Sequence, residues 1–333
     1  MGKIIFLPQA VVTKTAAGEV IENPASVVKE LVENSLDAGA TSIKIALSEG
    51  GKKKIVVADN GCGMCKEDLL ICHKEHTSGK ISTEEDLGRI SSLGFRGEAL
   101  NSISCVSDFS IKSFSSQEDD SQGGDSQSGW KIPVLYGKAG EIEPIGMPQG
   151  TVVEVQNLFA NFPARLEFLK TSQYEFQKIY YLVLLFVLAN PNVSFVILHN
   201  EKPVLEAPVH YNLEKRLELA FGHSDFFLPL EFTAGHISVG GYLSMPQKSS
   251  NSFADLYFYI NNRPVKWLKG LQQIKKAYGT LLEKHQFPKG ALFLKVPFEM
   301  VDVNVHPRKE EVRFKNEALV LEILEKAVLD LLA

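Results

Sequence analysis

The sequence predicts an α+β protein of two domains, on three observations. The chain is 333 residues long, and single hydrophobic cores seldom grow past about 250 residues. Helical and alternating apolar segments follow one another without the regular strand–helix–strand repeat of a doubly wound sheet. Beyond about residue 212 the pattern starts again, so residues 1–205 read as one domain and 206–333 as a smaller α/β sandwich. Apolar residues make up 44% and charged residues 23%, the mix of a packed globular protein. The longest apolar run, 179–189, is too short for a membrane helix, which needs about 20 residues. With Pro8 close behind Ile4-Ile5-Phe6, the start of the chain shows no signal peptide. A cytoplasmic protein without a membrane partner is expected. Cys62, Cys65, Cys72 and Cys105 lack the second pair or the histidine spacing of a zinc site and read as thiols.

The elements follow in order. Asn23-Pro24 opens a long helix, with Asn as N-cap and Pro at its first position, and Gly39 closes it. Val27, Val28, Leu31, Val32, Ser35 and Leu36 form one stripe of that helix, while Glu30, Glu33, Asn34 and Asp37 line another face. Residues 41–47 alternate Ile43, Ile45 and Leu47 as a strand, Gly50-Gly51 turns the chain, and 54–58 return. Asp59-Asn60-Gly61 ends that strand. Residues 66–75 are predicted helical, 76–80 a loop, and Ser82-x-x-Glu85 a capping box for a helix ending near Leu93. A helix carrying Leu100, Ile103 and Val106 precedes a strand at 109–114, a polar surface loop at 115–129, and strands at 130–136 and 151–155. In the second domain, a helix at 212–221 precedes strands at 227–232, 236–243 and 255–260. A helix at 268–284, strands at 291–296 and 301–305, and a helix at 317–332 complete it.

Several positions point to nucleotide chemistry. Glu30 and Asn34, four apart, put a proton-accepting carboxylate beside an amide oxygen suited to a hard cation. Asp59, ending an apolar strand, can accept the exocyclic amine of adenine, and Gly61 and Gly63 let backbone approach a base. Gly94-x-x-Gly97 before a helix is a candidate anion cradle. Thr77, Ser78 and Lys80 lie upstream, so that residues 73–97 can form a lid. Lys309 is a candidate donor to a terminal phosphate. Each position also has an ordinary use: a solvated helix face, an Asp-Asn-Gly turn, a glycine turn before a helix, a solvated lysine.

Taken together, Glu30…Asn34, Asp59-x-Gly61-x-Gly63, Gly94-Phe-Arg-Gly97-Glu-Ala-Leu100 and Gly150-Thr151 resemble the four motifs of the GHKL ATPases. Within that group Ala16-Ala-Gly-Glu-Val20, the run from Asn23 to Ala40, Gly94–Leu100 and Val301-Asp-Val-Asn-Val-His-Pro307 resemble the MutL mismatch-repair proteins. The resemblance covers residues from about 4 to 331. It implies a GHKL (Bergerat-type) ATP-binding α/β sandwich followed by a smaller ribosomal-protein-S5-like α/β domain. It implies Glu30 as general base, Asn34 as ligand of Mg²⁺, Asp59 with Thr151 as readers of adenine, and Lys309 at the γ-phosphate. Gly94, Phe95, Arg96, Gly97, Glu98, Ala99, Leu100 and Asn101 would hold the phosphates. Asp37, Ala38, Gly61, Gly63, Met64, Thr77, Ser78 and Lys80 would complete the nucleotide contacts. One departure stands out: where these proteins usually carry Thr-Ser-Lys, this chain has Thr77-Ser78-Gly79-Lys80, which moves both hydroxyls one position toward the N-terminus.

The expected activity is slow, Mg-dependent ATP hydrolysis that switches self-association. The expected partners are DNA, a mismatch-recognition protein of the MutS type and a downstream nuclease or helicase, in a nucleoid-associated, bacterial-type setting. Net charge is −5, yet residues 263–289 carry seven basic residues against one acid, Glu283. Within that stretch Arg263, Lys266, Lys269, Lys275 and Lys276 are candidates for sequence-independent contact with DNA phosphates, single- or double-stranded. The alternatives are an ATPase subunit of a type II topoisomerase and a nucleotide-holding scaffold without turnover. No endonuclease domain is expected in this chain.

Overall fold

The computed structural model describes residues 6, 20–77, 79, 97–116, 128–302 and 312–333. The fold is mixed α+β, in two compact units: Met1–Val183 with Asn192–Pro208, and Leu184–Pro191 with Val209–Ala333.

In the first unit, helix α1 (Pro24–Asp37) begins as its caps dictate. Asn23 Oδ1 accepts from Ser26 N at 3.1 Å, and Pro24 occupies the first turn. The helix buries Val27, Val28, Leu31, Val32 and Ser35 and ends before Gly39, whose φ of 72° no helix continues. Strands β1 (Ser42–Ser48) and β2 (Lys54–Asp59) follow, then helices α2 (Lys66–Ile71) and α3 (Ala99–Cys105). Next come β3 (Asp108–Phe114), β4 (Ser128–Leu135), β5 (Lys138–Ala139), β6 (Glu143–Gly146) and β7 (Gly150–Gln156). Helices α4 (Pro163–Phe168) and α5 (Ser172–Ala189) precede β8 (Ser194–His199) and β9 (Lys202–Ala207).

The strands form one sheet in the order β5-β4-β3-β7-β2-β1-β8-β9, with β6 beside β4. Only β1 and β8 run parallel among its pairs. Gly51 marks where α1, α5 and the sheet meet: a Cβ there would lie 3.0–3.2 Å from Pro24, Ile179 and Ile55.

The helix expected over 66–75 stops at Ile71, and by His76 the backbone has turned left-handed at φ 61°. α5, β8 and β9 were not expected. The apolar stretch of α5 runs round the helix, with Ile179, Val183, Leu184, Phe186, Val187 and Leu188 all buried, so it shows no helical period. The predicted helix at 82–93 and most of the loop at 115–129 lie outside the described residues.

In the second unit, α6 (Leu213–Phe221) precedes β10 (Phe227–Ala234), β11 (Ile237–Ser244), β12 (Leu256–Ile260) and β13 (Arg263–Val265). Then come α7 (Leu268–Tyr278), β14 (Gly290–Lys295), β15 (Val301–Asp302), β16 (Arg313–Phe314) and α8 (Glu317–Leu332). The main sheet runs β10-β11-β14-β12-β13, with β12 and β14 parallel. Trp267, Leu271 and Ile274 of the α7 region share one core with Val320, Ile323 and Leu324 of α8. α7 is shorter than the predicted 268–284 because Gly279, at φ 53°, ends it. Of the strand expected at 301–305, Val301–Asp302 is described and pairs with β16, and 303–305 lie outside.

Arg216 explains why residues 184–191 belong here. Fully buried, it donates to the carbonyls of Val187 (2.7 Å), Asn190 (3.2 Å), Pro191 (2.9 Å) and Tyr211 (3.1 Å), capping the end of α5.

Candidate functional site

Side chains directly opposite in paired strands share a face, and β3, β7 and β2 line up three such rows. Phe109, Val155 and Ile55 form the first, and Ile111, Val153 and Val57 the second. All six are buried. The third row is Ser113, Thr151 and Asp59. An apolar face thus ends in a wholly polar row, with Ser113 buried and Thr151 and Asp59 half-buried.

Asp59 is held from two sides. Its Oδ2 lies 2.7 Å from the Ser35 hydroxyl of α1, and its Oδ1 accepts from Gly61 N at 2.9 Å. An ionised carboxylate has about four acceptor positions, so each oxygen keeps capacity for a further donor. The next residues are clamped as firmly. Asn60 Oδ1 accepts from Thr41 N (2.9 Å) and Ser42 N (2.8 Å), and Cys62 N donates to Ala38 O at 2.9 Å. Gly63 needs to be glycine: at φ 72°, a Cβ would come within 1.9 Å of Phe114 O. Met64 N donates to Ser113 Oγ at 2.8 Å. The structure therefore brings Ala38, Asp59, Gly61, Gly63, Met64 and Thr151 into one neighbourhood.

Sequence reasoning missed Ser35 and Ser113. The signal was present, since each is a hydroxyl at an apolar position of its own period, every third or fourth residue in α1 and every second in β3. Glu30, Asn34 and Asp37 lie half-buried on the polar flank of α1. Their donor set, carboxylate and amide oxygens, is the hard-oxygen kind that suits Mg²⁺.

The two ends of the expected lid come together. A Cβ on Gly97, at φ 64°, would lie 2.3 Å from Thr77 O, and Asn101 Nδ2 donates to His73 O at 3.0 Å. Glu98, Ala99 and Leu100 open α3, with Glu98 at its N-cap. Thr77 Oγ1 bonds Lys74 O at 3.0 Å. Ser78, Lys80, Gly94, Phe95, Arg96 and Lys309 lie outside the described residues.

In the second unit the basic stretch divides. Lys269 is paired with Glu317 and Lys276 with Glu325, the latter at 3.0 Å, both acids belonging to α8. Burial would raise the Glu317 carboxyl, but hydrogen bonds from Lys269 and Trp267 hold it below the usual range. Lys275 turns elsewhere, donating to Lys284 O at 2.8 Å and lying 4.2 Å over the Phe287 ring. Arg263 sits in the short edge strand β13, and Lys266 follows it. Among the described residues no helix is long and apolar enough to cross a membrane.

Two family models match the chain. Residues 21–128 match the histidine kinase-, DNA gyrase B- and HSP90-like ATPase, and residues 222–333 match the C-terminal domain model of DNA mismatch repair protein. The DNA mismatch repair protein MutL of Geotalea daltonii is 38% identical over 328 residues, covering 98% of this chain and 53% of that protein. That of Citrifermentans bemidjiense is 39% identical, covering 98% and 49%. The chain thus spans about half the length of the curated relatives it matches. Among solved structures, the N-terminal domain of a DNA repair protein superposes with a TM-score of 0.79 at 27% identity, covering 96% of this chain and 97% of that one. The Aquifex aeolicus MutL ATPase domain complexed with ADP gives a TM-score of 0.62 at 29% identity, covering 92% and 98%.

Proposed function

Because the chain belongs to the MutL family of DNA mismatch repair proteins and corresponds to its N-terminal ATPase region, we propose that it binds and slowly hydrolyses ATP as a switch in that repair. The observation that carries this reading is the polar row Ser113–Thr151–Asp59 at the end of an otherwise apolar face. A carboxylate there accepts from the adenine amine and opposes a keto group. The ADP complex of the Aquifex aeolicus relative supports a nucleotide as the ligand.

In this reading Glu30 accepts the proton of the water that attacks the γ-phosphorus, with attacking and leaving oxygens in line. Asn34 offers its amide oxygen to Mg²⁺, which when bound would offset charge on the phosphate oxygens. Residues 94–101 carry backbone N–H groups to the phosphates, with Thr77, Ser78 and Lys80 in the lid. Lys309 is the proposed cation at the γ-phosphate. Nucleotide state then governs association of two copies. It also governs exchange with a MutS-type recognition protein and a downstream nuclease or helicase.

DNA contact is proposed for the second unit, at Arg263, Lys266, Lys269, Lys275 and Lys276. Lys269 and Lys276 add less to the local field, because Glu317 and Glu325 offset them. Lysines that meet phosphates rather than base edges bind without sequence preference and with strong salt dependence.

The test is phosphate release with Glu30→Ala. Turnover is expected to fall at least about 100-fold, as for loss of a general base, while ATP still binds. Unchanged turnover removes Glu30 from the mechanism. Binding of ATP without turnover by the unmodified chain favours the scaffold reading.

A further inference from the structure

We infer that Phe253 is a stacking platform for an unpaired base, which lets the proposed DNA surface of the second unit prefer single strands over duplex. The inference rests on the DNA reading above and adds to it a residue outside the basic stretch.

Phe253 is 64% exposed, yet the turn that carries it is firmly held. Ser252 Oγ accepts from Ala254 N at 3.2 Å and opens the 3₁₀ turn Phe253–Asp255. Ser250 and Phe287 exchange both backbone hydrogen bonds, at 2.8 and 2.7 Å, which ties this loop to the segment around Phe287. Ser249 Oγ donates to Gln286 Oε1 at 2.7 Å and draws the same two segments together. A ring fixed in place this way gives up little entropy when a planar ligand meets it.

A single exposed apolar side chain is ordinary. Here its neighbours give it a use. The Phe253 and Phe287 rings meet nearly edge to face, with centroids 6.4 Å apart and planes at 73°. The Lys275 ammonium lies 4.2 Å from the Phe287 centroid, a cation–π contact. It also donates to Lys284 O at 2.8 Å, one use of its three donors. Lys284 and His285 are exposed, and Glu283 is the one acid between Lys275 and Lys289.

Charge decides what can cover the ring. An apolar protein surface seated on Phe253 and Phe287 would take the Lys275 charge out of water without a counter-charge, which is costly. A nucleotide brings a phosphate for that charge together with a flat base for the ring. In a duplex both faces of each base lie inside the stack, so phosphates meet the lysines but no base reaches Phe253. In a single strand the faces are open, and aromatic side chains set among cations bind such strands without regard to sequence. Stacking therefore adds affinity for one form alone.

The experiment measures affinities of the 333-residue chain for a labelled oligothymidylate, an abasic tract and a duplex of equal length, at several salt concentrations. Phe253→Ala is expected to weaken oligothymidylate binding between about 5- and 150-fold, the range for one base stacked on an aromatic ring. Duplex and abasic tract should bind as before. The salt slope should not move, because a phenylalanine releases no counterions. Phe253→Leu, apolar but without a ring, should lose as Phe253→Ala does, and Phe253→Trp should retain oligothymidylate binding. Unchanged oligothymidylate affinity in Phe253→Ala, or equal weakening of strand and duplex, overturns the inference. Full affinity in Phe253→Leu also overturns it, since apolar bulk would then suffice. If the unmodified chain binds none of the three, the DNA reading itself fails, and the inference with it.

Discussion

Asp59 sits at the end of a hairpin strand and at the start of a tight turn, and its two oxygens serve both. Ser35 is the less obvious half of that arrangement. The helical period puts it in the apolar stripe of α1, where a hydroxyl has no evident use until β2 brings Asp59 within 2.7 Å. A pairing 24 residues apart is a tertiary event, and neither local pattern encodes it. Hydrogen bonds to a charged group are worth about 1.5–3 kcal/mol. Ser35→Ala is therefore expected to lower unfolding free energy by about that amount in urea titrations and to weaken ATP binding. No change in either would detach Ser35 from the site. Asn34→Ala should abolish the Mg²⁺ dependence of ATP binding, measured by titration with and without the cation. Glu30, Asn34, Asp59, Gly61 and Gly63 could be singled out from the sequence because their spacing resembles a known set. Ser113 could not, because its partners come from two separate places, the 61–64 turn and the start of β7.

At the scale of elements, the strands and capped helices were the most legible parts. The alternation in 43–47 and 109–114 and the Asn23-Pro24 cap each correspond to an element at nearly the expected bounds. α5 escaped notice because its second half, 183–189, is apolar all round and has no polar face to mark its period. Its first turn meets β1, β2 and β8 at a joint with a titratable member. Gly50 N donates to His199 Nε2 at 3.2 Å, and that ring stacks on Phe176 at 4.1 Å between centroids. Burial holds the imidazole below its ordinary pKa. A lowered folded pKa favours the neutral ring, so its stabilisation is full above about pH 6.5 and is lost as pH falls below that value. Melting temperature should drop between pH 7 and pH 5, and His199→Gln should flatten that slope. An identical slope in the variant would assign the pH dependence to other groups.

On α7, one helix carries two kinds of lysine. Exposed ion pairs contribute little stability, but Glu317 and Glu325 offset the charge of Lys269 and Lys276 where a polyanion would approach. Charge reversal at Lys275 should therefore lower DNA affinity and the salt slope more than reversal at Lys276, in titrations at several salt concentrations. Equal losses would mean that α8 does not modulate the surface.

For the whole molecule, the composition and the restart of the pattern near residue 212 anticipate two units. They do not reveal that residues 184–191 join the second, because Arg216 collects those carbonyls only after folding. A switch implies a linked change in association. Sedimentation with a non-hydrolysable ATP analogue and Mg²⁺ is expected to convert monomer into dimer, by the mass action of a ligand that prefers one state. A single species throughout would favour a scaffold. The central claim is narrower, namely that adenine is read by the row ending in Asp59. Calorimetric titration of the same analogue into the unmodified chain and Asp59→Asn tests it most directly. Saturable binding that falls at least about tenfold in the variant, the size of one charge-assisted hydrogen bond, is the predicted result. Equal affinity in the two proteins, or equal affinity of the unmodified chain for the guanine analogue, would contradict it.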